Sequence, residues 1–143
     1  MFGHVVPQKG VDSDGYVVEE LNNDILWLGH SRVAIRSDNE PALLKVVEKA
    51  AKAVRASGGA DGVTTEGSVP YDPQSNGQAE NAVQLFEKQF RTLRDSFEMR
   101  IGSRLNSCHP FISYLVEHAA KTINRYRVGQ DGKTSYRRWK GKD

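Results

Sequence analysis

Two carboxylates stand at positions from which a fold can put them to chemical use. Asp38 follows the short run "RVAIRS", and Glu80 closes the polar stretch "VPYDPQSNGQAE" just ahead of the periodic segment "NAVQLFEKQFRTLRDSF", with 41 residues between the two acids. Where strands and helices alternate, ligands gather at the carboxyl ends of strands and the starts of helices. Two carboxylates there suit a hard divalent cation, Mg²⁺ or Mn²⁺, which takes oxygen ligands and keeps some of its water. A pair of such cations, about 3.5–4 Å apart, clamps the attacking and leaving oxygens of a phosphoryl transfer. Each acid also has a structural use. Asp38 can cap the helix that Pro41 opens, Ser75 or Asn76 can cap the later helix, and a Glu in a first turn complements the helix dipole.

Other chemistries have less behind them. His4, His30, His109, His118 and Cys108 lack the spacing of a zinc module. No Gly-rich phosphate loop occurs, and Ser13, Ser37 and Ser103 sit in no nucleophile elbow.

The elements that must position the two acids follow from hydropathy. "MFGHVVP" reads as a strand broken by Pro7. Val17, Leu21, Ile25 and Leu28 share one helical face, stopped by Gly29, and Trp27 reads as core. Val33 and Ile35 alternate with polar neighbours, which predicts a strand from Arg32 to Ser37. Pro41 suits a first helical turn, and Leu44, Val47, Ala51 and Val54 make a second amphipathic helix ending at "ASGGADG". "VTTEGSVP" is a further strand, interrupted at Gly67. The polar stretch after it reads as a loop as far as Ala79, which puts Glu80 in the first turn of the longest helix. Its seam is Val83, Phe86, Phe90, Leu93, Phe97 and Ile101, with Lys88, Arg91 and Arg94 on exposed faces. A last helix starts near His109-Pro110, turns Ile112, Leu115, Val116, Ala119 and Ile123 inward, and frays into a basic tail. The alternation predicts an α/β protein.

Composition bounds the rest. Hydrophobic residues make up 38% and charged residues 27%, which suits one globular core on the polar side. No apolar run approaches the 18 or so residues of a membrane span, so no membrane partner is expected. "MFGHVVPQKG" lacks the pattern of a secretory signal, and the single Cys108 fits a reducing compartment. The net charge of +2 is unevenly placed. Residues 125–143 carry seven Lys and Arg against two Asp, or +5, which leaves residues 1–124 at −3. The chain therefore reads as a body, residues 1–124, and a basic tail, residues 125–143. Such a tail suits a polyanion or a solvated terminus.

"IRSDNEPAL", "VPYDPQSNGQAEN" and "HPFISYLVEHAAKTINRYRVGQDGKTSYRRWKGK" together resemble the integrase catalytic core of LTR retrotransposons and retroviruses, over nearly the whole chain. A helix running to "NRY", then "DGKT" and a basic stretch, is especially similar to the Copia-type polyprotein. The resemblance implies an α/β, ribonuclease-H-like fold. It places Asp38 at the family's second catalytic aspartate and Glu80 at its glutamate, both binding Mg²⁺ or Mn²⁺. It further implies DNA as partner, both element ends and target, with 3′-end processing, strand transfer, a homo-oligomeric intact form and a place in the nucleus. Tyr71, Gln74, Ser75 and Asn76 would contact the DNA end. Lys88, Arg91 and Arg94 would meet phosphates along the same helix, and Arg137, Arg138 and Lys140 would do so from the tail.

The sequence departs from the family's pattern in places. The spacing between the acids is longer than the retroviral one, Glu40 replaces the usual glycine, and Asn81 replaces a frequent basic residue. "MFGHVVP" resembles the family's third strand, so the first two strands and their aspartate find no counterpart. Asp12 and Asp14 sit in a loop where a helix cap is the natural use. The expectation is an N-terminally truncated core from a longer Pol polyprotein, inactive or nearly so by itself with two carboxylates of three. A non-catalytic nucleic-acid- or partner-binding remnant of the same fold is the alternative.

Overall fold

Apolar residues at helical spacing and short β-branched runs build the elements around both acids. The protein, seen here as a computed structural model, is described for residues 1–6, 8–67 and 73–141, with the backbone alone for residues 73–76. In order these hold α1 (Tyr16–Leu28), β1 (Arg32–Ser37), α2 (Pro41–Ala56), β2 (Gly62–Gly67), α3 (Pro73–Ile101), α4 (Phe111–Tyr126) and α5 (Ser135–Lys140). They form two compact units, Val6–Asn76 and Met1–Val5 with Gly77–Asp143.

In the unit Val6–Asn76, α2 is the crossover that two parallel strands require. β1 pairs with β2 from Arg32↔Gly62 through Val33↔Val63 to Ser37↔Gly67. Ile25, Ala51, Val54, Ala60 and Val63 form the core, with Leu21, Val33 and Ile35 packed at its margin. Pro41 opens α2, as its fixed φ favours. Gly29, at φ 67°, ends α1 in the left-handed conformation that a side chain would resist. Asp12 caps α1 as expected: its carboxylate accepts from the Tyr16 and Val17 N–H groups at 3.0 and 3.3 Å. It is only 7% exposed, and these backbone donors are what make burial of an acid tolerable. Trp27 departs from expectation. It is 50% exposed, because two residues beyond buried Ile25 means about 200° around the helix.

The first residues also differ from the reading. Residues 1–6 form no strand. β-branched residues favour a strand only where a neighbour pairs with it. Here the Met1 ammonium donates to Asn124 Oδ1 at 2.8 Å, and Asn124 Nδ2 donates to the Met1 carbonyl at 2.6 Å.

In the second unit, α4 buries Leu115, Ala119, Ala120 and Ile123, and Leu105 is buried in the connection before it. Phe97 of α3 stacks on Phe111 of α4 with ring centroids 4.3 Å apart. The α3 seam is half-buried at Phe86, Phe90, Leu93 and Phe97, but its ends, Val83 and Ile101, are 57% and 48% exposed.

The start of α3 is a correction. The helix begins at Pro73, so the expected loop up to Ala79 is wound into its first turns. A proline is well suited to the first helical position, and a long amphipathic helix propagates through weak formers once nucleated. Gly77 is then a helical glycine with open space where a Cβ would sit. Gly77→Ala is expected to stabilise the protein by about 0.5–1 kcal/mol, read as a raised urea midpoint at unchanged slope.

The C-terminal stretch is likewise ordered where fraying was expected. Val128 and Thr134 form an antiparallel bridge, Thr134 Oγ1 accepts from Arg137 N–H at 3.1 Å to cap α5, and α5 packs on α4. Among the described residues, no helix is long and apolar enough to cross a membrane.

Candidate metal and nucleic-acid site

Asp38 is the first residue past β1, at the carboxyl end of the parallel pair, and it is exposed. Its Oδ1 accepts from the Asn39 N–H at 2.8 Å. The cap position of α2 falls to Glu40, which makes no side-chain capping bond and instead pairs with Lys9 at 2.7 Å. On the same strand face, Arg36 meets its register partner Glu66 at 2.9 Å, so the guanidinium charge beside Asp38 is matched across the strands. Gly67 ends β2 where a Cβ would overlap Asn39 Oδ1. The absence of a side chain there lets the Asn39 amide lie against the strand end next to Asp38.

Glu80 belongs to the second unit and is the eighth residue of α3 rather than a first-turn residue. It is exposed. At about 100° per residue, Arg91 falls within roughly 20° of Glu80 around the axis, and Lys88 about 80° away. Arg91 is exposed and shares its charge with Glu87 at 3.1 Å. Lys88 is exposed and makes no ion pair among the described residues.

Arg94 differs from its expected exposed role. It is half-buried, donating from Nε to Glu98 Oε1 at 2.8 Å and from Nη2 to the Leu105 carbonyl at 2.7 Å. Leu105 N–H returns a bond to Glu98 Oε1 at 2.9 Å, which closes a clasp on the α3–α4 connection. The Arg94 hydrogen bond, then that from Leu105, holds the Glu98 carboxyl below its ordinary value of 4.5. A depressed carboxyl contributes stability that is present above its ordinary value and lost as pH falls through the lowered one. Melting temperature is therefore expected to drop as pH falls below 4.5, and Glu98→Gln is expected to flatten that drop.

Arg138 is also engaged internally. It forms a two-point contact with Asp131, Nε to Oδ2 at 2.9 Å and Nη2 to Oδ1. That pairing holds Asp131 far below the usual carboxylate range and raises Arg138. Arg137 and Lys140 are exposed, and Lys140 Nζ lies 3.4 Å from the Trp139 ring centroid. Arg125, not singled out from the sequence, sits over the Tyr136 ring at 5.1 Å. The cue was available in the cationic end of α4 and in Tyr136 and Trp139 spaced for one face of a helix. Tyr71 lies outside the described residues, as do the side chains of Gln74, Ser75 and Asn76. The backbone of the latter three is helical.

The donor chemistry of Asp38 and Glu80 fits a hard cation, since both offer exposed oxygen ligands. Among the described residues, no group of three His, Cys, Asp or Glu side chains gathers as a metal site. Cys108 is exposed, and His109 Nδ1 accepts from Phe111 N–H at 3.2 Å.

No protein-family model matches the sequence, and no curated protein matches it. A solved structure does: the catalytic core domain of BIV integrase in crystal form I, with a TM-score of 0.61 and 19% identity. The match covers 96% of this chain and 76% of that one. The fold is therefore the α/β, ribonuclease-H-like fold of an integrase core, as the motifs led one to expect.

Proposed function

We propose that this chain is catalytic-core material of a DNA integrase from an LTR retrotransposon, Copia-like, encoded within a longer Pol polyprotein. What carries the reading is one coincidence: a carboxylate at the end of β1 and a carboxylate on α3, within quoted motifs, in a chain whose fold is that of an integrase core. Asp38 and Glu80 would hold the divalent cation. When bound, Mg²⁺ or Mn²⁺ supplies the charge that stabilises in-line displacement at phosphorus. The chain's own part is positioning, which is most of what phosphoryl transfer asks of a protein. The Asn39 N–H orients the Asp38 carboxylate, the rigid α3 carries Glu80, and Lys88 and Arg91 offer cations to DNA phosphates further along the same helix. The substrate is DNA, with 3′-end trimming followed by attack of the new 3′-hydroxyl on target DNA, and the place of action is the nucleus.

The motif supplies two carboxylates of three, so these 143 residues alone are expected to bind metal and DNA with little or no turnover. The test is 3′-end trimming of labelled duplex DNA by the product of the whole transcript, in Mg²⁺ and in Mn²⁺. Turnover that Glu80→Gln abolishes supports the reading. Equal turnover in both proteins contradicts it. The alternative is a non-catalytic nucleic-acid- or partner-binding remnant of the same fold. It predicts no turnover and salt-dependent DNA binding that Glu80→Gln leaves unchanged.

A further inference from the structure

We propose that Glu66 is a positioning residue for the Asp38 carboxylate: it holds the Arg36 guanidinium across the strand pair and so keeps that cation from competing with a divalent ion at Asp38. This role rests on the metal site proposed for Asp38, and Glu66 lies outside every motif quoted for that site. Side chains alternate along a strand, so Arg36 and Asp38, one residue past the end of β1, come off the same side about 7 Å apart. Arg36 stands in register with Glu66, one strand spacing or about 5 Å away. The guanidinium therefore has two carboxylates within reach, one along its own strand and one straight across. The contact it makes is the second, Nη2 to Glu66 Oε2 at 2.9 Å. Glu66 is also the one acidic residue within β1 and β2, whose sequences are RVAIRS and GVTTEG. No other side chain of the pair can take its place.

The neighbouring residues fit the same division. Asp38 Oδ1 accepts from the Asn39 N–H at 2.8 Å, and Gly67, the residue after Glu66, leaves room for the Asn39 side chain. The end of β2 thus acts on Asp38 twice: Gly67 admits the residue that orients it, and Glu66 withdraws the cation beside it. An arginine pressed on a metal-binding carboxylate has to be displaced before an ion can enter, because both seek the same oxygens. The Arg36 side chain is 55% and that of Glu66 48% exposed, so water screens the exchange and its effect is modest.

The test is Mn²⁺ binding by the full chain at low salt, with free Mn²⁺ read by electron paramagnetic resonance. Glu66→Gln is expected to weaken binding about three- to fivefold, since Arg36 is then left to pair with Asp38. Arg36→Gln together with Glu66→Gln is expected to return the affinity to within about twofold of the parent. A double variant as weak as Glu66→Gln would mean that Glu66 is itself a ligand or only supports the fold, and it overturns the proposal. So does unchanged binding in Glu66→Gln. Asp61→Asn removes an exposed carboxylate just before β2, at the opposite end of the strand pair, and is expected to bind as the parent does. A loss there equal to that of Glu66→Gln would make the effect one of net charge, which also overturns the proposal. Circular dichroism is expected to be the same for all of them, because a half-exposed ion pair contributes little to stability. Asp38→Asn keeps the two levels of the claim apart. If it binds Mn²⁺ as the parent does, the metal assignment fails and the role of Glu66 with it. If it weakens binding while Glu66→Gln does not, the assignment stands and only the role of Glu66 falls.

Discussion

Leu115→Ala is expected to destabilise the protein by about 2–5 kcal/mol and to lower its melting temperature by roughly 10 °C or more. Leu115 is 3% exposed, and the other residues that α4 buries beside it are Ala119, Ala120 and Ile123. Alanine neighbours have no spare side-chain atoms with which to fill the space, so the loss combines a transfer cost with a residual cavity. The contrast is Ile101→Ala at the end of the α3 seam. Ile101 is 48% exposed, and its truncation is expected to stay within about 1 kcal/mol. Thermal melts of the two variants decide it. Equal, small effects would mean that α4 does not bury this face.

The second large effect concerns metal. Asp38→Asn and Glu80→Gln are each expected to weaken Mn²⁺ binding by about tenfold or more, since even residues behind a ligand commonly matter by 10–100-fold. Each substitution is nearly isosteric and removes one unit of negative charge, so helix and strand are left alone. If the two acids share one ion, the losses do not add. The double variant is expected to bind little worse than the weaker single one, because the second carboxylate then has no ion to hold. Free-Mn²⁺ titration by electron paramagnetic resonance measures all four proteins. Fully additive losses would mean two separate weak sites.

Some of this was legible in the residues and some was not, for identifiable reasons. The bounds of β1 follow from Val33 and Ile35 alternating up to Asp38, and the start of α2 from Pro41, because those signals are local. Asp12 as a helix cap was legible for the same reason. The start of α3 was not. Pro73, Gln74, Ser75, Asn76 and Gly77 each favour a turn when taken singly, and helix propagation from the segment beyond them overrides that preference. At the N-terminus, β-branched composition suggested a strand, but a strand needs a partner that local sequence does not reveal. For the cations, type and spacing could not say which were committed internally. Arg94 and Arg138 answer to Glu98 and Asp131 across connections whose course depends on tertiary structure. Asp38 and Glu80 stood out because they sit in motifs, and a motif carries more than the propensities of its residues.

The metal role proposed for Asp38 and Glu80 can be tested without any assay of turnover. The most direct measurement is Mn²⁺ titration of the ¹⁵N-labelled chain, since a bound paramagnetic ion broadens only the amides near it. If the two acids share one ion, the amides of Ser37, Asp38 and Asn39 and those of Ala79, Glu80 and Asn81 are expected to broaden together at the same low Mn²⁺, and Glu80→Gln is expected to protect both groups. Broadening of one group without the other, or of both undiminished in Glu80→Gln, would contradict it.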